Sequence, residues 1–191
     1  FGDDGEILCK GPNIMMGYYN KPKLTAEVID KDGWFATGDI GKMIDGVYLK
    51  ITDRKKEIFK TSGGKYIAPQ VMENKYKESR IIEQVMVLGE GEKMPGAFIV
   101  PEFEALKVWC KLHDLNYTTN SEMAAHPKVL EKFDSEIAHY NEQFAPYEQV
   151  KKVVVMKETW TIEGGELTAT LKLKRKPVLA KYQKEYKEIY N

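Results

Sequence analysis

The chain is predicted to fold as an α+β protein, and three features of the sequence predict it. Its first quarter alternates short apolar runs with Gly- and Pro-bearing turns, the rhythm of strands and hairpins. Further along, apolar residues recur at helical spacing between runs rich in β-branched residues. A charged and polar stretch beginning at Arg54 separates the two textures, and it lacks the proline of a stiff tether. The expected organisation is a β-rich segment over residues 1–53 and a mixed α+β domain over residues 54–191, joined at a hinge.

Each element has a local cause. Residues 6–10 form a strand candidate between the turns at 2–5 and Gly11-Pro12. Met15, Met16, Tyr18 and Tyr19 make an apolar patch ended by the turn Asn20-Lys21-Pro22, and Thr25 is placed to cap a helical turn over 25–29. Residues 34–37 read as a short strand. Asp45-Gly46 between 40–44 and 47–51 is the clearest hairpin signal, because these two residues tolerate the left-handed backbone of a tight turn. Pro69 suits the first turn of a helix reaching about Ser79. Strands are expected over 82–88 and 97–100, on either side of the turn-rich 89–93. Phe103, Leu106, Trp109, Cys110 and His113 share one helical face, as do Leu130, Phe133, Ile137, Tyr140 and Phe144. Residues 150–156 are a strand by β-branched content, Gly164-Gly165 a tight turn. Pro177 opens a last helix with Leu179, Tyr182, Tyr186 and Ile189 on one side.

Composition excludes several classes. With 42% hydrophobic and 11% aromatic residues the chain has the material for a core, so global disorder is ruled out. The 29 basic and 29 acidic residues cancel, which removes the global electrostatic case for nucleic acid, and no nucleic-acid partner is expected. Cys9 and Cys110 sit far apart and are expected to be small buried hydrophobes in a reducing cytosol. His113, His126 and His139 show no ligand spacing, and no metal site is expected from them. No apolar run approaches the roughly 20 residues of a spanning helix. The chain starts at Phe1 without a leader and is expected to be cut from a longer protein. The basic stretch 172–187 leaves room for peripheral contact with acidic lipids, although lysines on the wet side of a helix are ordinary.

Four ordered segments span nearly the whole chain. They are Gly5-Glu6-Ile7-Leu8 continuing through Gly11-Pro12-Asn13-Ile14-Met15-Met16-Gly17-Tyr18-Tyr19-Asn20; Gly33-Trp34-Phe35-Ala36-Thr37-Gly38-Asp39-Ile40-Gly41; Asp53-Arg54-Lys55-Lys56-Glu57-Ile58-Phe59-Lys60-Thr61-Ser62-Gly63-Gly64-Lys65; and Gly165-Glu166-Leu167-Thr168-Ala169-Thr170-Leu171-Lys172-Leu173-Lys174-Arg175. Together they resemble the late motifs of the acyl-adenylate-forming superfamily, which contains acyl-CoA synthetases, peptide-synthetase adenylation domains and firefly luciferase. The third segment, and the long helical stretch from Phe103 to Tyr147, resemble its long-chain fatty acid–CoA ligase branch. The resemblance implies that residues 1–53 are the edge of a large AMP-binding domain. Residues 54–191 would be the small C-terminal lid domain, a short antiparallel sheet flanked by helices.

It also implies a two-step reaction. A fatty acid carboxylate attacks the α-phosphate of ATP, giving acyl-AMP and pyrophosphate; CoA, the co-substrate, then displaces AMP. The work is positioning and charge stabilisation, so no nucleophile–base arrangement is expected. The phosphate loop, the segment holding most of the Mg2+ contacts and the acyl tunnel belong to the N-terminal domain, which is the expected partner. This chain alone is therefore expected to be inactive, and the whole protein to be cytoplasmic, with membrane association left open.

Site residues follow from the resemblance, position by position. Asp39 matches the carboxylate that accepts the ribose hydroxyls of ATP or AMP; from spacing alone it reads as a turn-capping Asp. Arg54 matches the donor to the ribose and phosphate side, and Lys56 the hinge about which the small domain rotates; without the motif both read as a solvated charge run. Thr61, Ser62, Gly63, Gly64 and Lys65 match the loop lining the CoA channel, where glycine lets backbone approach a ligand. A plain mobile turn explains the same composition, and the spacing of a P-loop is not met. Lys172 matches the catalytic lysine that touches the α-phosphate and the attacking carboxylate oxygen. Other branches carry Gly where this chain has Leu171. Lys174, one strand period away, is the competing assignment, and an exposed basic edge is the plain one. The alternatives left open are another acyl- or aryl-CoA synthetase branch, a non-catalytic nucleotide- or CoA-binding module, and a basic membrane- or RNA-binding domain.

Overall fold

The computed structural model describes residues 1–191. The chain divides into two compact units, residues 1–58 and 59–191. The texture of the sequence changes after Asp53, yet the charged residues that follow stay with the first unit. Arg54 ends a strand of that unit, and Lys55 pairs with Asp4 and Glu6.

In the first unit β1 (Glu6–Cys9), β2 (Phe35–Ile44) and β3 (Tyr48–Arg54) form an antiparallel sheet in chain order, with α1 (Pro22–Val28) in the first connection. β2 fuses what reads in sequence as two short runs. It passes through Gly38 at φ 75°, a left-handed position that glycine takes without steric cost. At the hairpin, Asp45 and Gly46 have φ of 52° and 69°, the pair of positive values the tight turn requires. Thr25 lies inside α1 and does not cap it. Pro22 sets the first turn, and the Thr25 hydroxyl donates to Lys21 O (3.0 Å) and accepts from Tyr18 N (2.9 Å). Met16, Tyr18, Tyr19 and Trp34 are exposed, Met15 is half-buried, and Val47, Tyr48, Leu49 and Ile51 add an exposed apolar edge. Cys9 is half-buried where full burial was expected.

The second unit opens with a small hairpin of β4 (Phe59–Lys60) and β5 (Tyr66–Ile67), followed by α2 (Pro69–Tyr76). Its main sheet runs β6 (Ile82–Leu88), β7 (Gly96–Pro101), β8 (Lys152–Val155). β6 and β7 are antiparallel, but β8 lies parallel to β7, so the expected antiparallel sheet is mixed. A parallel neighbour needs a crossover, and α3 (Phe103–Leu112), α4 (Asn120–Ala124) and α5 (Pro127–Asn141) supply it.

β7 is buried along its whole length, and alternation sorts its side chains into two cores. Ala97 and Ile99, with Val85 and Val87 of β6, join Met72, Leu106 and Phe133 of the helices on one face. Phe98 and Val100, with Met86 and Leu88, join Trp160, Leu167, Val178 and Ile189 on the other. Each buried Val, Leu, Ile, Phe or Met side chain contributes about 1.5–3 kcal/mol, so both faces matter to the unit's stability.

Two helical expectations shift. In α5 the buried line is Val129, Phe133 and Ile137, spaced by four, while Leu130 is 39% exposed. The last helix is broken into α6 (Arg175–Lys181) and α7 (Gln183–Tyr190) at Tyr182, whose ring is edge-on to Phe98 at 6.2 Å. No helix of the chain is long and apolar enough to cross a membrane.

The second core carries one buried carboxylate. Glu166 is 2% exposed, ion-pairs with Lys181 and accepts from Thr161 N (3.2 Å). Burial alone would raise its pKa, but the ammonium and the amide outweigh burial and hold it below the usual range. A depressed pKa contributes stability that is present above the unfolded value, about 4.3, and is lost as pH falls through the folded one. We expect the thermal midpoint of the chain to fall on acidification from pH ~7 to below pH ~4, and Glu166→Gln to show a lower neutral midpoint and a shallower acid limb in circular dichroism melts. Parallel acid limbs for the two proteins would contradict this.

Candidate functional site

The first unit brings two expected site residues face to face. Asp39 and Arg54 are direct partners across β2 and β3, and Arg54 Nε lies 2.8 Å from Asp39 Oδ1. The N–H is not aimed at that oxygen, which is buried without a hydrogen-bond partner. The pair is a charge contact that leaves acceptor capacity on the carboxylate, while the Arg54 side chain is half exposed.

What fixes this pair is a carboxylate that sequence reasoning did not single out. Glu6 is 7% exposed; its Oε1 accepts the Gly38 N–H (2.8 Å) and its Oε2 lies 2.7 Å from Lys55 Nζ. Lys55 Nζ also meets Asp4 Oδ2 at 2.6 Å, and Lys55 N donates to Gly38 O (2.8 Å). The residue before Asp39 and the residue after Arg54 are thus tied to one side chain of β1. The Asp4 and Glu6 carboxylates push the Lys55 pKa above its ordinary value, and Lys55 holds Asp4 below its own. Lys56 follows in an exposed turn, where Glu57 N and Ile58 N both donate to Arg54 O (2.9 and 3.2 Å). The units divide two residues later.

The segment Thr61, Ser62, Gly63, Gly64, Lys65 reads in sequence as flexible but is a tied hairpin loop. Thr61 N donates to Lys65 O (2.9 Å), Gly64 N to Thr61 O (2.9 Å) and Lys65 N to Thr61 Oγ1 (3.2 Å). Ser62 N reaches Glu92 O (2.8 Å), fixing the loop to the β6–β7 turn. Thr61 is buried, residues 62–65 are exposed, and Gly64 has φ 78°. Lys65 Nζ stands 5.5 Å from the Tyr147 ring centre.

Lys172 sits at the exposed end of a second hairpin, residues 166–174. Its base is a bridge between Leu167 and Leu173, both packed in the second core. Its loop closes through Thr168: Thr168 N donates to Lys172 O (2.8 Å), Leu171 N to Thr168 O (2.9 Å) and Lys172 N to Thr168 Oγ1 (3.0 Å). This is the three-residue hairpin that ends in a left-handed residue, here Leu171 at φ 58°. Glycine is the usual occupant, and a side chain there costs about 1–2 kcal/mol. Lys174 is half-buried at the stem, where its N–H donates to Glu166 O (2.8 Å). The two competing lysines therefore differ in reach: one is at the tip, the other at the root.

Both ends of this motif are anchored by ion pairs. Glu166 holds Lys181, and Arg175 holds Glu73 and donates to Val87 O (3.0 Å). Arg175 and Glu73 are 102 positions apart, so no local signal announces their pairing. The histidines do other work: His113 Nδ1 contacts Trp109 O (2.8 Å), His126 Nδ1 accepts from Lys128 N at the start of α5, and His139 lies edge-on to Tyr140. Asp39 and Arg54 belong to one unit, Lys172 and the 61–65 loop to the other.

Residues 56–191 match the family described as AMP-binding enzyme C-terminal domain. Human long-chain-fatty-acid–CoA ligase 1 is 37% identical over 191 residues, covering 98% of this chain and 27% of that protein. Mouse long-chain-fatty-acid–CoA ligase 5 is 39% identical over 98% of this chain and 28% of its own length, and long-chain-fatty-acid–CoA ligase FadD15 of Mycobacterium tuberculosis 34% over 99% and 32%. The chain thus spans roughly a third or less of the curated relatives it matches. Among solved structures, the adenylation domain of a carboxylate reductase from Mycobacterium chelonae superposes with a TM-score of 0.78 at 26% identity, over 96% of this chain and 27% of that one. The corresponding domain from Segniliparus rugosus, determined with AMP and a co-purified carboxylic acid, gives 0.75 at 28% over the same shares.

The loop geometry generates its own test. At φ 78°, Gly64→Ala should cost about 1–2 kcal/mol. Urea titration of the chain would read that as a lower midpoint with an unchanged slope, and an unshifted midpoint would contradict the left-handed backbone.

Proposed function

The chain belongs to the AMP-binding enzyme C-terminal domain family, and from that membership we propose that it is the C-terminal part of an ATP-dependent long-chain fatty acid–CoA ligase. The observation that carries the proposal is Lys172, a lysine at the exposed tip of a hairpin whose root is buried. A group meant to meet a phosphate must be free to reach it and yet arrive in one orientation. An exposed tip on a fixed stem meets both needs.

In this reading the fatty acid carboxylate attacks the α-phosphorus of ATP, pyrophosphate leaves, and negative charge gathers on the oxygens between the two reactants. The Lys172 ammonium offsets that charge in the transition state. Asp39 accepts the ribose hydroxyls with the acceptor capacity left on its carboxylate, and Arg54 directs its donors to the ribose and phosphate side. CoA thiolate then attacks the acyl carbonyl and AMP leaves. Lys56 is the hinge between the two steps, and the tied loop 61–65 presents backbone to the CoA arm. Magnesium is held mainly by the N-terminal domain. The N-terminal AMP-binding domain supplies the phosphate loop and the acyl tunnel, so the chain alone is inactive. The protein works in the cytoplasm, and the Lys172-to-Lys187 stretch is the part that would touch acidic lipids.

The half-reactions separate these roles. In the parent ligase, Lys172→Ala should slow pyrophosphate release by roughly 10²–10³-fold while thioester formation from preformed acyl-AMP stays near the unmutated rate; an equal loss in both steps sinks the assignment. Lys56→Pro should do the reverse, and equal losses there would remove the hinge.

A further inference from the structure

The proposed reaction gives no task to Leu171, and the structure gives it no packing role either. Its backbone is in the left-handed region (φ 58°), where glycine is free of the steric cost that a branched side chain meets. Its side chain is 62% exposed and joins neither core. The loop closes through Thr168 and backbone groups of residues 171 and 172, so glycine at position 171 would keep every one of those hydrogen bonds. A bulky apolar residue thus occupies a strained, solvated position, with nothing within this unit to offset the strain. Strain of this kind, when it sits beside a reactive group, points to a contact made only in the loaded state.

The neighbour indicates which contact. Lys172 is exposed, and an ammonium in water is a weak partner for a phosphate because the solvent screens it. Excluding water around that ion pair strengthens it and also shields a reactive mixed anhydride from hydrolysis. An isobutyl group on the preceding residue is of the right chemistry, since it is apolar, compact and unable to compete for the phosphate. We propose that Leu171 is a water-excluding contact residue. On closure of the hairpin tip it packs on the apolar carbons next to the carboxyl group of an aliphatic carboxylate substrate, drying the surroundings of Lys172. This rests on the reading of Lys172 given above, and it goes beyond it in assigning Leu171 a substrate contact.

The test uses the parent ligase with Leu171→Gly, Leu171→Asn and Leu171→Met, and Lys172→Ala as a control. Three quantities are measured: thermal midpoint, single-turnover pyrophosphate release with a long-chain fatty acid, and the share of acyl-AMP that is hydrolysed to free acid and AMP instead of reaching thioester. Gly and Asn both accept the left-handed backbone, so their midpoints should equal or exceed that of the unmutated protein. Their adenylation should nevertheless slow by roughly tenfold and the hydrolysed share should rise, while Leu171→Met stays close to the unmutated enzyme. A variant that is as stable and yet leakier cannot be explained by a folding role. If Gly and Asn match the unmutated enzyme in rate and partition, or if Met fails as badly as they do, the contact is refuted. If those variants are silent but Lys172→Ala is slow, only this inference falls; if Lys172→Ala is as fast as the unmutated enzyme, the reading beneath it falls as well.

Discussion

The pairing of Leu167 with Leu173 decides what Lys172 can do. These two residues sink the root of the 166–174 hairpin into the second core, and the loop beyond them has only Thr168 to close it. A longer or looser stem would let the ammonium wander, and the rotational freedom lost on meeting a phosphate would weaken the contact. A buried tip would deny it access. Burial at one end and exposure at the other is therefore the condition under which a lysine here can act as a positioned charge.

The same logic runs through the ion pairs. Buried pairs give modest net stability, because removing two charges from water costs nearly as much as their attraction returns. Their directional value is larger. Arg175 with Glu73 ties α6 to α2 and β6, and Glu166 with Lys181 ties the hairpin to the same helix. In the first unit Glu6 spans β1, Gly38 of β2 and Lys55 beyond β3, so the Asp39–Arg54 pair and the start of the turn at Lys56 share one anchor. In each unit one buried carboxylate anchors the backbone near an exposed basic group proposed to meet ligands. Glu6 and Glu166 are 7% and 2% exposed, whereas Arg54 and Lys172 are open to solvent.

Much of this was legible in the sequence where the cause is local. Asp45-Gly46 announced the β2–β3 hairpin, and folding the chain about that turn sets residue 39 opposite residue 54 to within a residue or two. Pro69 marked α2, and the turn-rich stretch 89–93 marked off β6 from β7. What stayed hidden depends on distant partners. The parallel placement of β8 follows from a three-helix crossover, not from its own residues. The residue at the break, Tyr182, packs edge-on to Phe98 of β7, far away in sequence. Glu73 reads as an ordinary helix glutamate until Arg175 arrives from the other end of the chain. Leu171 could be read as a departure from a glycine pattern, but only its backbone shows that it keeps the conformation glycine would have taken.

The claim everything else serves is that the tip of the 166–174 hairpin delivers a positive charge to an α-phosphate. The most direct measurement is a crystal structure of the parent ligase with ATP and an unreactive carboxylate analogue. The account predicts Lys172 Nζ at about 3 Å from an α-phosphate oxygen, with Asp39 accepting from the ribose hydroxyls. Lys174 or some other basic group on that phosphate, with Lys172 left in solvent, would contradict it.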